Sequence, residues 1–400
     1  MNKLIPIALC LLSAGAFAQQ AKKAIPFAEK QTDIMLKAIP VAKTASAKPN
    51  MVSPRTLNAQ GQLVLISSRD WVSGFFPGEL WYLYEYTHQQ KWLTAAKEYT
   101  ANIEPEQFDK GTHDVGFKIY CSVGNGYRLT KDAHYKDVII QAAKTLCTRF
   151  NPTTGTIKSW DNRKEWKYPV IIDNMMNLEL LFEASKLSGD TSFYHVAVQH
   201  ANTTMKNHFR PDYSSYHVID YDPETGAVLH KQTHQGYADS SAWARGQGWG
   251  LYGYTMCYRE TKNPAYLKQA EAIAKFILNN PKLPKDKVPY WDFDAPDIPN
   301  APRDASAAAL MASALYELST YSSNGKIYRK AADQMLSSLT KSYEAKPGGS
   351  QGFILLHSTG HKPANSEIDV PISYADYYYL EALLRQNRLI KGQPVVDPKI

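Results

Sequence analysis

Two aspartates stand in apolar company: Asp114 in His113-Asp114-Val115-Gly116-Phe117, and Asp173 in Asp173-Asn174-Met175-Met176-Asn177. The run Tyr168-Pro169-Val170-Ile171-Ile172 leads directly into Asp173. A carboxyl group short of water resists ionisation, and a second carboxylate nearby raises one of the two further. Two such acids facing each other divide their roles near neutral pH, one ionised and one protonated, which is what general acid–base chemistry needs. A helix N-terminus acts the other way, lowering an aspartate's pKa, so the proton must be kept by pairing and burial. No HExxH and no Cys/His ligand spacing occurs, and the eleven histidines are scattered, so no metal site is read here.

The densest constellation is Thr233-His234-Gln235-Gly236-Tyr237-Ala238-Asp239-Ser240-Ser241-Ala242-Trp243-Ala244-Arg245-Gly246-Gln247-Gly248-Trp249. Arg245 and Trp249 are four apart and share one face of a helix. A guanidinium beside an indole can grip a carboxylate while the ring stacks on a sugar. The alternative is a structural ion pair at Arg245 and a core position at Trp249. Asp239 and Asp304 are read first as N-caps, whose carboxylates accept the orphan N–H groups of a first helical turn.

Those residues need a frame. Aromatic, Gly-rich helical patterns cover Gly78–Thr87, Asp114–Leu129, Asp173–Leu187, Asp239–Arg259, Asp304–Thr320 and Ile372–Arg385. Charged, amphipathic ones cover Lys91–Ile103, Lys131–Phe150, Thr191–Phe209, Pro264–Asn279 and Lys326–Tyr343, with a further helix over Lys22–Lys43. Their apolar residues recur at three- and four-residue spacing, as packing on one side requires. The first kind starts on average about every 59 residues, a structural repeat with little identity between units. Six helices covered all round and six one-sided helices close into an all-α (α/α)6 barrel, whose inner N-termini crowd one rim. Thr44 to Leu63 reads as a polar connector, and Gly155–Trp160 and His217–Leu229 as short hairpins. No linker divides residues 19–400, which are read as one domain.

Residues 1–18 read as a cleaved secretory signal, with Lys3, the apolar run Leu4 to Leu12 and the small-x-small site Ala16-Phe17-Ala18. The residue before Cys10, Leu9, is too large for a good lipobox. The expected location is therefore periplasmic or secreted, with no membrane span. The formal charge of +7 becomes +6 without Lys3 and carries no basic block, so nucleic acid is not an expected partner, whereas an anionic small substrate is. The 26 Tyr, 13 Phe and 8 Trp offer flat faces for sugar rings, though most must be core. Cys121, Cys147 and Cys257 read as buried free thiols.

Five segments together make the chain resemble the unsaturated glucuronyl hydrolases, family 88 of the glycoside hydrolases, from about Asp70 to about Arg385. They are Asp70-Trp71-Val72-Ser73-Gly74-Phe75-Phe76-Pro77-Gly78, His113 to Phe117, Asp173 to Asn177, Gln235 to Trp249, and Ser373-Tyr374-Ala375-Asp376-Tyr377-Tyr378. The resemblance implies an (α/α)6 barrel that needs no metal or organic cofactor. It also implies a reaction on unsaturated uronate-containing di- and oligosaccharides left by polysaccharide lyases. A proton goes to C4 of the C4=C5 double bond and water adds at C5, giving an unstable hemiketal that opens and releases the neighbouring sugar. By the same resemblance Asp173 is the acid/base residue and Asp114 its carboxylate partner. His217, Thr233, Gln235, Arg245 and Trp249 match substrate-contacting positions, and Phe76 a stacking platform where Trp is familiar. Lys231 stands where some relatives have Gly, and Ser358-Thr359-Gly360-His361-Lys362 where some recognise sulfate. An unsaturated rhamnogalacturonyl hydrolase shares the barrel and the hydration logic; the Gln235-to-Trp249 block and His217 favour the glucuronyl reading. A non-catalytic periplasmic glycan-binding protein would bind without consuming the double bond. Epimerases and inverting glucanases of the same barrel act on saturated sugars.

Overall fold

Burial separates two kinds of helix. In the computed structural model, which describes residues 5–46, 48 and 50–396 with side chains from Lys23 onward, the helix Ala305–Leu318 is buried at every position. The next helix, Gly325–Ser342, buries only Tyr328, Ala331, Ala332, Asp333, Met335, Leu336 and Leu339, a one-sided stripe. Small residues make the first possible: six alanines and two serines let neighbours close in from all sides.

Among the described residues twelve α-helices follow the same alternation. The outer ones are α1 (Ile5–Ala45), α3 (Gln90–Ala101), α5 (Ala133–Cys147), α7 (Thr191–Asn207), α9 (Pro264–Asn279) and α11 (Gly325–Ser342). The inner ones are α2 (Phe75–Thr87), α4 (Asn125–Thr130), α6 (Leu178–Ser188), α8 (Ala244–Thr261), α10 (Ala305–Leu318) and α12 (Ser373–Ile390). Two inner helices have irregular beginnings. A π-helix, Gly116–Gly124, runs into α4, and a 3-10 turn, Ile172–Asn177, runs into α6. Packing of α2 on the π-helix, of that on α6, then α8, α10, α12 and α2 again closes the inner ring. The six-pair barrel expected from the repeat is the fold.

The irregular starts allow close approach. A Cβ on Gly116 would lie 2.6 Å from the Cα of Asn177. With no Cβ there, the Phe117 N–H reaches the Asn177 side-chain oxygen at 2.9 Å and ties the two segments together. Gly74 in turn lets α2 come against the carbonyls of Phe117 and Lys118. The segments carrying Asp114 and Asp173 are thereby locked side by side.

The connector expected over Thr44 to Leu63 is instead a hairpin. Strand β1 (Met51–Leu57) pairs antiparallel with β2 (Leu63–Ser67). Its pattern is masked by Ser53, Pro54 and Thr56, whose side chains serve tertiary contacts: Ser53 donates to the Ser73 carbonyl and Thr56 to that of Pro371. The hairpin expected over His217–Leu229 occurs, as β6 (Val218–Tyr221) with β7 (Val228–Gln232), whereas the one expected over Gly155–Trp160 lies earlier, as β3 (Phe150–Asn151) with β4 (Thr156–Ile157). Strand β5 (Pro169–Ile171) joins β6, and a last hairpin, β8 (Ser358–His361) with β9 (Ser366–Val370), lies over the rim. Cys121 and Cys257 are buried, Cys147 partly so, and none of the three is paired.

The seam between α1, α2 and α12 contains two buried acids, Glu79 and Asp376. Thr32 donates to Glu79 at 2.8 Å, and Asp376 accepts the N–H groups of Ile354 and Leu355. Burial pushes the Asp376 carboxyl up to about 8, and burial together with the charge of Asp376 pushes Glu79 up. Both pKa values are raised on folding, so the seam stabilises the fold while the acids are protonated and loses that contribution as pH climbs through the folded values. Denaturant midpoints should therefore fall as pH rises from about 4, where the unfolded acids ionise, to about 8, and Glu79→Gln should flatten that fall. An unaltered slope in the variant would show that this pair is not the pH-sensitive element.

Candidate active site

The inner N-termini converge on one rim, and most of the expected residues arrive there. Asp173 opens the 3-10 turn before α6 and is 6% exposed. Burial, reinforced by the charge of Asp114, raises its carboxyl to about 7 against the opposing pull of Arg245. Its Oδ2 has no hydrogen-bond partner, nor has the indole N–H of Trp249, which nonetheless lies close enough to lower the Asp173 pKa. Asp114 precedes the π-helix with its side chain 15% exposed. Thr112 donates to its Oδ2 at 2.7 Å, and the Nε2 of His113 lies 3.2 Å from Oδ1. One acid is thus dry and keeps a substantial protonated fraction near neutral pH, the other wetter and held by a hydroxyl. π-Helical turns of this kind concentrate at functional sites, because the wider helix re-aims what precedes it.

His217 is placed against Asp173, its Nε2 lying 3.6 Å from Oδ2. The N–H groups of His234 and Gln235 both donate to its Nδ1 at 3.1 Å. Two donors on Nδ1 put the ring proton on Nε2, pointing at the carboxyl. Burial drives the His217 pKa well below its ordinary value, so the ring stays neutral. It is a fixed N–H donor. Three more imidazoles, at His113, His234 and His361, also have their pKa values lowered, each mainly by burial, His234 to about 4.

Beside the residues that surround the acids, but not lined by Asp114 or Asp173 themselves, is a cavity of about 240 Å³ whose walls include Trp71, Tyr374, Trp160, His234, Gln235 and Glu367. Trp160 meets His217 edge-on at 6.1 Å, and Trp71 lies 5.5 Å from Phe117, so the walls rest directly on the residues around the acids. A second cavity, among Tyr82, Glu85, Arg128, Tyr252, Glu381 and Arg388, lies towards the C-terminal ends of the inner helices and includes none of the expected site residues.

Several expectations are corrected. Phe76 is 1% exposed and packs on Tyr99 of α3, away from the cavity. One residue turns a helix by about 100°, and it is Phe75 that faces inward on Trp71 and Tyr374, with Trp71 lining the cavity. Trp249 is fully buried against Phe117 and Tyr378, so it floors the site without offering a ring face. Arg245 is 1% exposed and its fork is taken. Nη1 donates to Asp304 at 2.8 Å and to the Thr359 carbonyl, and Nη2 to the Gly360 carbonyl, leaving Nε without a partner. Its guanidinium stacks on Trp243 and Tyr374, not on Trp249. Thr233 accepts the Gly236 N–H and shapes the turn, while Gln235 lines the cavity and donates to the Gly360 carbonyl. Asp304 caps α10 as expected, accepting from the N–H groups of Ser306 and Ala307. Asp239 does not cap α8, which begins at Ala244 behind Trp243; it accepts the Thr233 N–H instead.

Trp160, Trp71, Tyr374, His113 and Trp243 join the site without having been singled out. Trp71, His113, Trp243 and Tyr374 lay inside the quoted motifs, and the signal for each was adjacency to a helix start. Trp160 gave none, since it follows a two-residue strand on a loop.

An (α/α)6 barrel with a buried, proton-bearing acid and a second carboxylate under an aromatic cleft defines an enzyme of the carbohydrate-active class. The family model for Glycosyl Hydrolase Family 88 matches residues 50–385, and the chain belongs to that family. It is 54% identical over 341 residues to the unsaturated glucuronyl hydrolase of Formosa agariphila, across 84% of this chain and 85% of that one. The crystal structure of an unsaturated glucuronyl hydrolase specific for heparin matches with a TM-score of 0.87 and 47% identity, covering 95% of this chain and 99% of that one. An Asp-to-Asn mutant of the Streptococcus agalactiae unsaturated glucuronyl hydrolase, complexed with dGlcA-GalNAc6S, matches with a TM-score of 0.75 and 30% identity over 92% and 91%.

Proposed function

We infer that the chain is an unsaturated glucuronyl hydrolase acting on the non-reducing-end unsaturated uronic acid of lyase-generated, glycosaminoglycan-type oligosaccharides. The observation that carries the reading is the Asp173 carboxyl, raised to about 7 by burial beside the fixed N–H of His217. A vinyl ether is a weak base, and a carboxylic acid that keeps a large protonated fraction near neutral pH is the donor it needs. Asp173 gives its proton to C4, and the π electrons of C4=C5 form the new C–H bond. Positive charge develops at C5 and the ring oxygen. Water attacks C5 and passes a proton back to the Asp173 carboxylate, restoring the acid. The hemiketal so formed opens its C5–O bond to a ketone, and the freed hemiacetal at C1 expels the neighbouring sugar. Asp114, partly exposed and held by Thr112 and His113, is suited to hydroxyl groups of the bound ring. Gln235, Trp71, Trp160 and Tyr374 are suited to line the sugars above.

The enzyme is proposed to work outside the cytoplasm, on the strength of Lys3, the apolar run after it and Ala16-Phe17-Ala18. That segment lies outside the residues whose side chains are described.

The test is to follow the ultraviolet absorbance of the conjugated uronate with unsaturated disaccharides from chondroitin, hyaluronan, heparin and ulvan. Absorbance should decay on at least one, with one neighbouring sugar released per double bond lost. Tight binding with unchanged absorbance on all four would instead make the chain a glycan-binding protein.

A further inference from the structure

We propose that Arg163 forms an anion subsite on the outer wall of the cavity, selecting substrates with a sulfate group on the sugar next to the unsaturated uronate; this rests on the function inferred above. Charge around the cavity points to this residue. Arg55, the other cation of the lining, is paired with Asp70 and Glu367. Arg245, just beneath, is paired with Asp304. Arg163 also lines the cavity and is exposed, and no carboxylate lies within ion-pair distance among the described residues. Its charge on the wall is therefore not taken up by an ion pair among the described residues.

The guanidinium is also held in place. It lies over the face of Trp160, 5.4 Å from the ring centroid, and its Nη2 donates to Nε2 of His234 at 3.1 Å. Because an arginine cannot be the acceptor, His234 must be neutral with its proton on Nδ1, in keeping with its pKa of about 4. One of five N–H donors is used in this way, and a planar fork remains for an oxyanion. Stacking and the one hydrogen bond reduce the entropy lost when that fork engages a ligand.

Position supplies the remaining part. From Asp173 the path runs 3.6 Å to His217, then 6.1 Å between the His217 and Trp160 rings, then 5.4 Å to Arg163. A ring protonated by Asp173 occupies the His217 end. The next sugar comes beside Trp160, and its outer substituents come to Arg163. In a glycosaminoglycan-type disaccharide that sugar is a hexosamine, whose anionic substituent is sulfate.

The experiment compares kcat/KM for matched unsaturated disaccharides with and without sulfate on the hexosamine, in the intact protein and in Arg163→Met and Arg163→Lys. The intact protein should prefer the sulfated member, and the preference should shrink with added salt. Arg163→Met should lower the sulfated-to-unsulfated ratio by about fivefold to tenfold, and Arg163→Lys by less, since charge survives without the fork. An intact protein indifferent to sulfate overturns the proposal, as does an Arg163→Met that lowers both substrates equally. Absence of turnover on either disaccharide would instead count against the hydrolase reading itself.

Discussion

Asp173→Asn should lower kcat by about 10² to 10⁴-fold, the range lost with a general acid–base group. The substitution is nearly isosteric and leaves the 3-10 turn and its packing in place, so circular dichroism and the unfolding midpoint should stay close to those of the parent. What goes is the transferable proton. The same residue sets the pH response. Burial raises the acid to about 7, so below that value the active, protonated form dominates. Above it kcat/KM should fall about tenfold per pH unit. In Asp173→Asn the residual rate should show no such limb. Turnover within a few-fold of the parent, or a limb that survives the substitution, would remove Asp173 from the role.

Arg245→Ala should be the most damaging change to the fold. The side chain is buried with Asp304, and its Nη groups also satisfy the Thr359 and Gly360 carbonyls of the β8–β9 hairpin. Removing it leaves the Asp304 Oδ2 as an uncompensated buried charge, at a cost of about 3–5 kcal/mol. Equilibrium unfolding in urea would measure this. A loss below about 1 kcal/mol would mean that the pair behaves like a solvated surface bridge. A second readout separates structure from electrostatics. Arg245 pulls the Asp173 pKa down, so in whatever fraction of Arg245→Ala remains folded, the basic limb should move to higher pH.

The barrel was legible because its evidence is periodic: one-sided stripes in the outer helices and near-continuous apolar faces in the inner ones. Helix starts were legible to within a few residues except at α8, where Asp239 resembles a cap but is used by the preceding turn. Platform assignment failed at Phe76 because a helix face is decided by single-residue register, which the adjacent pair Phe75-Phe76 cannot reveal. The π-helix after Asp114 carries no mark in the sequence, and the residues that pack on it, Asn177 and Gly74, come from other segments. Trp160 and Arg163 lie on a loop without periodicity and reach the cavity only through tertiary placement. Arg245 was seen as either a ligand-gripping or an ion-paired residue, and only the location of Asp304 and the β8–β9 carbonyls decides how its fork is spent.

The four imidazoles that surround the cleft have a collective effect. A cluster of histidines ordinarily makes an enzyme answer to mild acidification through several overlapping protonations. Here His113, His217, His234 and His361 are all biased towards the neutral form. In a medium that drifts between slightly sour and neutral, these rings resist protonation while the Asp173 carboxyl changes state. Catalysis would then register ambient acidity as a single-proton event, gently graded and without a cooperative threshold.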